Sequence, residues 1–246
     1  LAIGKVVSSN IANLGFVLAI TIIISPIYVT PSFYKTDWPM MILASVLFYL
    51  FTAFDYQLEA YEGAILFVFL LFFIVYLIKF QKRTILDEAP QDDESLRLLK
   101  TITYLILGGF SLWLGSETLI KGAVTLAKNL GVSERIISVS IISVGTSIPE
   151  LSASIIAIIN KQKAISLGNL IGSNIFNLLA VMGITAMIHP IIIEDAGFLN
   201  NDIWWMFGIS FLLLPMGFFI KGLKLSWIEG LILFFLYFIF IIPLFI

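Results

Sequence analysis

A chain of 246 residues that is 60% hydrophobic and 12% charged, with a mean hydropathy of +1.05, is excluded from the soluble globular class by composition alone. A net charge of −2 with no basic block leaves no face for nucleic acid, and the absence of cysteine removes disulfides and thiolate metal sites. Apolar runs of about 18 residues or more recur along the chain, the length that spans a bilayer as a helix.

Eight spans are expected, over residues 1–27, 39–54, 63–78, 101–126, 135–159, 164–188, 202–219 and 228–246. The first holds a polar set, Ser8, Ser9, Asn10 and Asn13, inside its apolar run. One long polar stretch, 80–100, carries Asp87, Glu88, Asp92, Asp93 and Glu94 around Pro90. It divides the chain into a first part, 1–79, and a second, 101–246. It reads as a solvated linker, because no EF-hand spacing is present for a calcium sensor. With this loop in the cytoplasm, Lys35, Lys79, Lys82, Arg83, Arg97, Lys100, Lys161, Lys163, Lys221 and Lys224 share its side. Asp55, Glu59, Glu194 and Asp195 fall on the other side, with Lys128 and Arg135 as basic exceptions. Glu117 and Lys121 are spaced for an i,i+4 ion pair, and Trp204, Trp205 and Trp227 read as interface anchors.

An ungapped shift of 164 residues lays Gly4 on Gly168, Ser9 on Ser173, Asn10 on Asn174, Asn13 on Asn177, Thr21 on Thr185 and Pro26 on Pro190. Further on, Glu62-Gly63 echoes Glu229-Gly230 after a small change of loop length. Five spans separate matching elements, an odd number, so the two copies point in opposite directions through the membrane. Inverted repeats mark secondary transporters, with the site at the repeat interface near the midplane. The expected fold is an all-α membrane protein, an inverted-repeat helical bundle with eight transmembrane helices of about ten. The second copy has two spans before Gly168, and the first has none before Gly4. With a start at Leu1, this leads us to expect an amino-terminally truncated chain.

The chemistry gathers in Ser143-Val144-Gly145-Thr146-Ser147-Ile148-Pro149-Glu150 and in Gly168-Asn169-Leu170-Ile171-Gly172-Ser173-Asn174-Ile175-Phe176-Asn177. A carboxylate at a bilayer centre costs roughly 2.5–3.5 kcal/mol by insertion scales. Glu150, with no basic neighbour in sequence, therefore calls for a cavity or a cation. Thr146 shares its helix face, and Ser147 is adjacent. Pro149 has no N–H for the Gly145 carbonyl, so the helix should bend there and free backbone oxygens around 143–145. Freed backbone at membrane depth is tolerated where it lines a cavity. Hydroxyls, carbonyls and one carboxylate make an all-oxygen set that suits Ca2+ or Na+ and not Zn2+ or Cu2+. The plainer reading is a kinked helix whose hydroxyls bond back to carbonyls, and for Ser147 alone it is the better one. Ser173 and Asn177, on one stripe with Asn169, are assigned to the ion path, with Ser9 and Asn13 as their repeat mates. Asn174, off that stripe, reads as a tie between helices. Gly168 and Gly172 form a small-xxx-small pair that allows a helix to approach closely.

These motifs resemble the cation/calcium antiporter superfamily, specifically its sodium/calcium exchanger branch. The likeness rests on the two stretches just quoted, with Leu114-Gly115-Ser116-Glu117 and Lys121-Gly122-Ala123 before them, and covers essentially the whole chain. It implies that Glu150 is one of two central carboxylates. It implies oxygen ligands from Thr146, Ser147 and the carbonyl of Ser143, with Ser9, Asn13, Ser173 and Asn177 completing the ring. Two departures stand out. Asn177 is Asp in some exchangers, including potassium-dependent ones, so the amide leans against potassium dependence. A first Gly-Thr-Ser-x-Pro-Glu segment is missing, which leaves the central site half built and Ca2+ binding by the chain alone poor.

The function expected is antiport of Ca2+ against Na+, with no cofactor. The partners are the two ions, the bilayer and the missing amino-terminal helices. The compact loops suggest a multi-pass protein of a prokaryotic plasma membrane. Rivals are Ca2+/H+ exchange through the same site and a non-transporting scaffold. An intramembrane enzyme is disfavoured, since the chain has no second membrane Asp, no His-Glu-x-x-His and no Ser/His pair.

Overall fold

Hydrocarbon offers no partner for backbone amides, so each apolar run closes its own hydrogen bonds as a helix. The computed structural model describes residues 2–80, 98–193, 197–219 and 223–245. Among these, six helices are long and apolar enough to cross a membrane: α1 (Ile3–Ile24), α2 (Phe33–Ala53), α3 (Ala60–Phe80), α4 (Leu98–Asn129), α5 (Ile137–Ile159) and α6 (Ile165–Ile188). Two shorter ones follow, α7 (Ile203–Phe219) and α8 (Trp227–Ile241). At 1.5 Å per residue these two are about 25 and 22 Å long, short of a hydrocarbon core of about 30 Å. The mostly helical expectation holds. Most of the 80–100 loop with its acidic residues, and Lys82, Arg83, Arg97, Glu194, Asp195 and Lys221, lie outside the described residues.

α2 begins six residues before its expected start, because Pro39 does not open the helix. A wide π-type turn over Phe33–Asp37 precedes the α-helical stretch that contains it, so the bond Pro39 cannot make is absorbed there. Similar wide turns occur at Asn13–Leu18 in α1, Ile137–Ile142 in α5, Asn177–Val181 in α6 and Phe198–Asp202 before α7. The 164-residue shift carries the α1 turn onto the α6 turn.

Two pairs of two-residue strands, not anticipated from the sequence, join distant parts of the chain. β1 (Ile27–Tyr28) pairs antiparallel with β4 (Lys224–Leu225), and β2 (Gln57–Leu58) pairs with β3 (Ile191–Ile192). The first pair lies at the end of the bundle where Lys163 Nζ donates to the Pro26 carbonyl (3.2 Å) and Lys224 sits over the Tyr28 ring (5.5 Å). The second lies at the other end, with Asp55 and Glu59.

α3 and α8 start alike. Glu62 accepts from the Glu59 amide (2.9 Å), and buried Glu229 closes a capping box with Ser226. The glycine after each glutamate then meets another helix. A Cβ on Gly63 would lie 2.5 Å from the Gly183 carbonyl oxygen on α6, and one on Gly230 would lie 2.9 Å from the Ala19 carbonyl oxygen on α1. Only a residue without a side chain permits such an approach. α1 is the centre of the bundle, packed by α5, α6, α7 and α8.

Candidate ion-binding site

Pro149 does break α5. The α-helix stops at Thr146, Ser147 adopts φ −93°, ψ 0°, and the helix resumes at Ile148. The Gly145 carbonyl that Pro149 cannot serve is taken by Ser116 Oγ of α4 at 2.6 Å. Gly145 itself lies so close to Ile120 that a Cβ there would collide with the Ile120 side chain, so the glycine lets α4 lie against the break. Ser116 was not singled out from the sequence, although it stands in the Leu114–Glu117 motif; nothing local distinguishes it from other membrane serines.

The Ser143 carbonyl is heavily used. It accepts from Ser147 Oγ (2.9 Å), Thr146 Oγ1 (3.1 Å) and the Ser147 amide (3.2 Å). Both hydroxyls thus bond back to the helix, and both also reach across to α1: Ser9 Oγ lies 3.4 Å from Ser147 Oγ and 3.4 Å from Thr146 Oγ1.

Glu150 stands in the first turn of the resumed helix, where unpaired backbone amides favour a carboxylate. Its Oε1 accepts from Ser173 Oγ of α6 at 3.0 Å. Its Oε2 is buried without a hydrogen-bond partner. The ion pairs among the described residues, Lys121–Glu117 and Lys128–Glu134, both at 3.3 Å, lie elsewhere. No group of three acidic or histidine side chains gathers among the described residues. A cation here would be held by one carboxylate and neutral oxygens.

Four asparagines join α1 to α6 at the same level. Asn10 Nδ2 donates to the Asn174 carbonyl (3.2 Å), and Asn174 Nδ2 donates to the Asn10 carbonyl (3.1 Å). Asn13 Nδ2 donates to Asn174 Oδ1, and Asn177 Nδ2 to Asn10 Oδ1, each at 2.9 Å. Asn174 is a tie between helices, as read from the sequence; Asn10 is its unforeseen mate. The signal was present in the 164-residue shift, which sets the two on each other. Asn13 Oδ1 and Asn169 Nδ2 are buried without partners.

The eight residues named from the sequence fall into three contact groups on α1, α5 and α6. Ser9, Thr146, Ser147 and the Ser143 carbonyl form one contact group, Glu150 and Ser173 a second, and Asn13 and Asn177 a third, joined through Asn174 and Asn10. The arrangement offers one negative charge and a row of hydroxyl and amide oxygens to a hard cation.

Comparison with known proteins agrees in kind. A family model described as sodium/calcium exchanger protein matches residues 1–79 and 100–245. The putative antiporter CaxA of Alkalimonas amylolytica is 36% identical over 244 residues, 94% of this chain and 74% of CaxA. The sodium/calcium exchanger MaX1 of Methanosarcina acetivorans is 28% identical over 291 residues, all of this chain and 80% of MaX1. Among solved structures, the sodium-calcium exchanger NCX_Mj soaked with zero Na+ and Ca2+ superposes with a TM-score of 0.76 and 25% identity, over 99% of this chain and 76% of that one.

Proposed function

This chain belongs to the sodium/calcium exchanger family, and we propose that it exchanges Ca2+ for Na+ across a membrane by alternating access. It is an integral membrane protein of a transporter family. Glu150 carries the reading: a carboxylate inside an apolar bundle keeps one oxygen buried and unpartnered, beside hydroxyls drawn from three helices. A desolvated acceptor with no donor is costly, and a cation relieves it. Relatives named for Na+ and Ca2+ support the choice of ions. Bacterial and archaeal relatives support a prokaryotic plasma membrane.

Eight spans form two inverted units, 1–79 and 101–246, joined by the 80–100 loop. The support is pairwise. The shift that lays Asn10 on Asn174 also lays β1 on β3, and the shift that lays Glu62 on Glu229 lays β2 on β4. Each strand pairs with one from the other unit. The site joins Glu150, Thr146, Ser147 and the Ser143 carbonyl with Ser9, Asn13, Ser173 and Asn177. Among the described residues no symmetry mate of Glu150 stands in it. A helix carrying a second Gly-Thr-Ser-x-Pro-Glu segment fits the bare face of α6, where Gly172 and Phe176 are exposed and nothing lies within 4 Å of a Cβ built on Gly168 or Gly172. The carboxylates hold either one divalent ion or monovalent ions. Because an empty, uncompensated site is costly to carry through the apolar barrier, the two loads alternate.

The test is Ca2+ flux into proteoliposomes under an imposed Na+ gradient. The chain is reconstituted alone and with a helix hairpin bearing the second segment. Flux with the hairpin, lost on Glu150→Gln, supports the proposal. Flux that follows a pH gradient and ignores Na+ replaces Na+ by H+ in it. No flux in either preparation, with the helices intact by circular dichroism, refutes it.

A further inference from the structure

We infer that Asn10 and Asn174 are positioning residues: they fix which end of the Asn13 and Asn177 amides faces the cation path. The inference starts from two groups whose chemistry admits one role. The backbone carbonyls of Asn10 and Asn174 can only accept. Each has the other asparagine's side chain against it, at 3.1 and 3.2 Å, so each of those side chains must present its NH2 end. The Oδ1 of each then faces the next amide, at 2.9 Å. Since Oδ1 only accepts, Asn13 and Asn177 must in turn present their NH2 ends to it. Their own oxygens are thereby turned away from the quartet. Asn13 Oδ1 is buried and unpartnered, one helical turn from Ser9, which touches Thr146 and Ser147.

Two carbonyls thus set the orientation of four amides through a closed network. A carboxamide in water flips freely; these four cannot flip one at a time without setting two acceptors or two donors against each other. The consequence for selectivity is specific. An ionised carboxylate at position 177 would face Asn10 Oδ1, acceptor against acceptor. The quartet therefore selects a neutral oxygen at position 177 and leaves Glu150 as the site's charge.

Orientation is tested first, without any transport. The purified chain and three variants, Asn177→Asp, Asn10→Ser and the double substitution, are melted at pH 8 in detergent free of Na+ and Ca2+. Asn177→Asp is expected to melt about 5 °C or more below the parent. In the Asn10→Ser background, where a hydroxyl can turn to donate to the carboxylate, the same change should cost less than half as much. Burial of charge alone would depress both backgrounds equally. Asn177→Asp melting at or above the parent, or an equal loss in both backgrounds, overturns the orientation. Should Asn177→Asp not fold, the mirror set, Asn13→Asp with Asn174→Ser, decides in the same way.

The second arm rests on the exchanger reading and is read separately, with the helix hairpin of the proposed function added, as the Na+ or Ca2+ concentration that half-maximally raises the melting temperature. Asn10→Ala and Asn174→Ala should raise it by up to about tenfold. A merely structural role would lower the melting temperature and leave this concentration unchanged, which overturns the positioning role. With the hairpin present, a parent that shows no response to either cation refutes the exchanger reading and the ligand role together, while the first arm still decides the orientation.

Discussion

α1 and α6 carry the same polar motif, the same wide turn after its last asparagine and the same threonine bonded back to the preceding turn (Thr21 to Val17 and Thr185 to Val181, both 2.6 Å). Yet α1 is buried over 78% of its apolar 18-residue stretch and α6 over 50% of its own. Ser8 and Ala12 are buried in α1; Gly172 and Phe176, their counterparts under the shift, are exposed. The difference is a neighbour. α5 packs along α1, and nothing among the described residues covers the matching face of α6. The motif sets which groups a helix offers, and the helix laid on it decides whether they become a site. Ser9 meets two hydroxyls of α5, while the Ser173 hydroxyl, among the described residues, meets Glu150 of its own hairpin.

That contrast can be broken hardest where the two helices are still equivalent. Gly63→Val and Gly230→Val each drive a side chain into a backbone carbonyl, at 2.5 Å on α6 and 2.9 Å on α1. Each should cost about 3 kcal/mol or more in thermal or denaturant unfolding. A harmless Gly63→Val would mean that α6 is loosely held on every side, and the equivalence would fail. Next, Ser116→Ala strips the Gly145 carbonyl of its donor and should cost about 1–3 kcal/mol. Because Ser116 holds α4 on α5, the loss should also loosen the helix that covers α1, read as faster hydrogen exchange at Ser9–Asn13 than at Ser173–Asn177.

Smaller effects sharpen the comparison. Gly172→Ala meets open space on an exposed helix face and should stabilise the chain alone by about 0.5–1 kcal/mol. With the second helix hairpin present, the same methyl should reduce the proposed Ca2+ flux, because it lies on the face proposed for the hairpin. Equal flux in the parent and the variant would place the hairpin elsewhere. Smallest of all, Lys121→Ala removes an exposed i,i+4 pair and should change stability by no more than about 0.5 kcal/mol.

The sequence made the local and the periodic features legible. Pro149 announced the break in α5, the spacing of Glu117 and Lys121 announced their ion pair, and the apolar runs announced the helices. It did not reveal Ser116 on the Gly145 carbonyl, because a hydroxyl 29 residues away in sequence has no local mark of its partner. It separated Asn174, as a tie, from Asn13 and Asn177, as ion ligands. The geometry joins all three with Asn10 in one network, since helical spacing gives the face of a residue but not what stands opposite. The strand pairs were hidden for the same reason. Two residues between membrane helices have no periodicity to read, and their partners lie far along the chain.

The β1–β4 pair has a consequence for how the protein is made. Leu225 and Lys224 leave the ribosome nearly 200 residues after their partners Ile27 and Tyr28. At synthesis rates of about 5–20 residues per second, the early strand waits roughly 10–40 s for its mate. The β1 edge therefore stays unsatisfied while the helices between the two strands are made, and β4 closes the clasp on it.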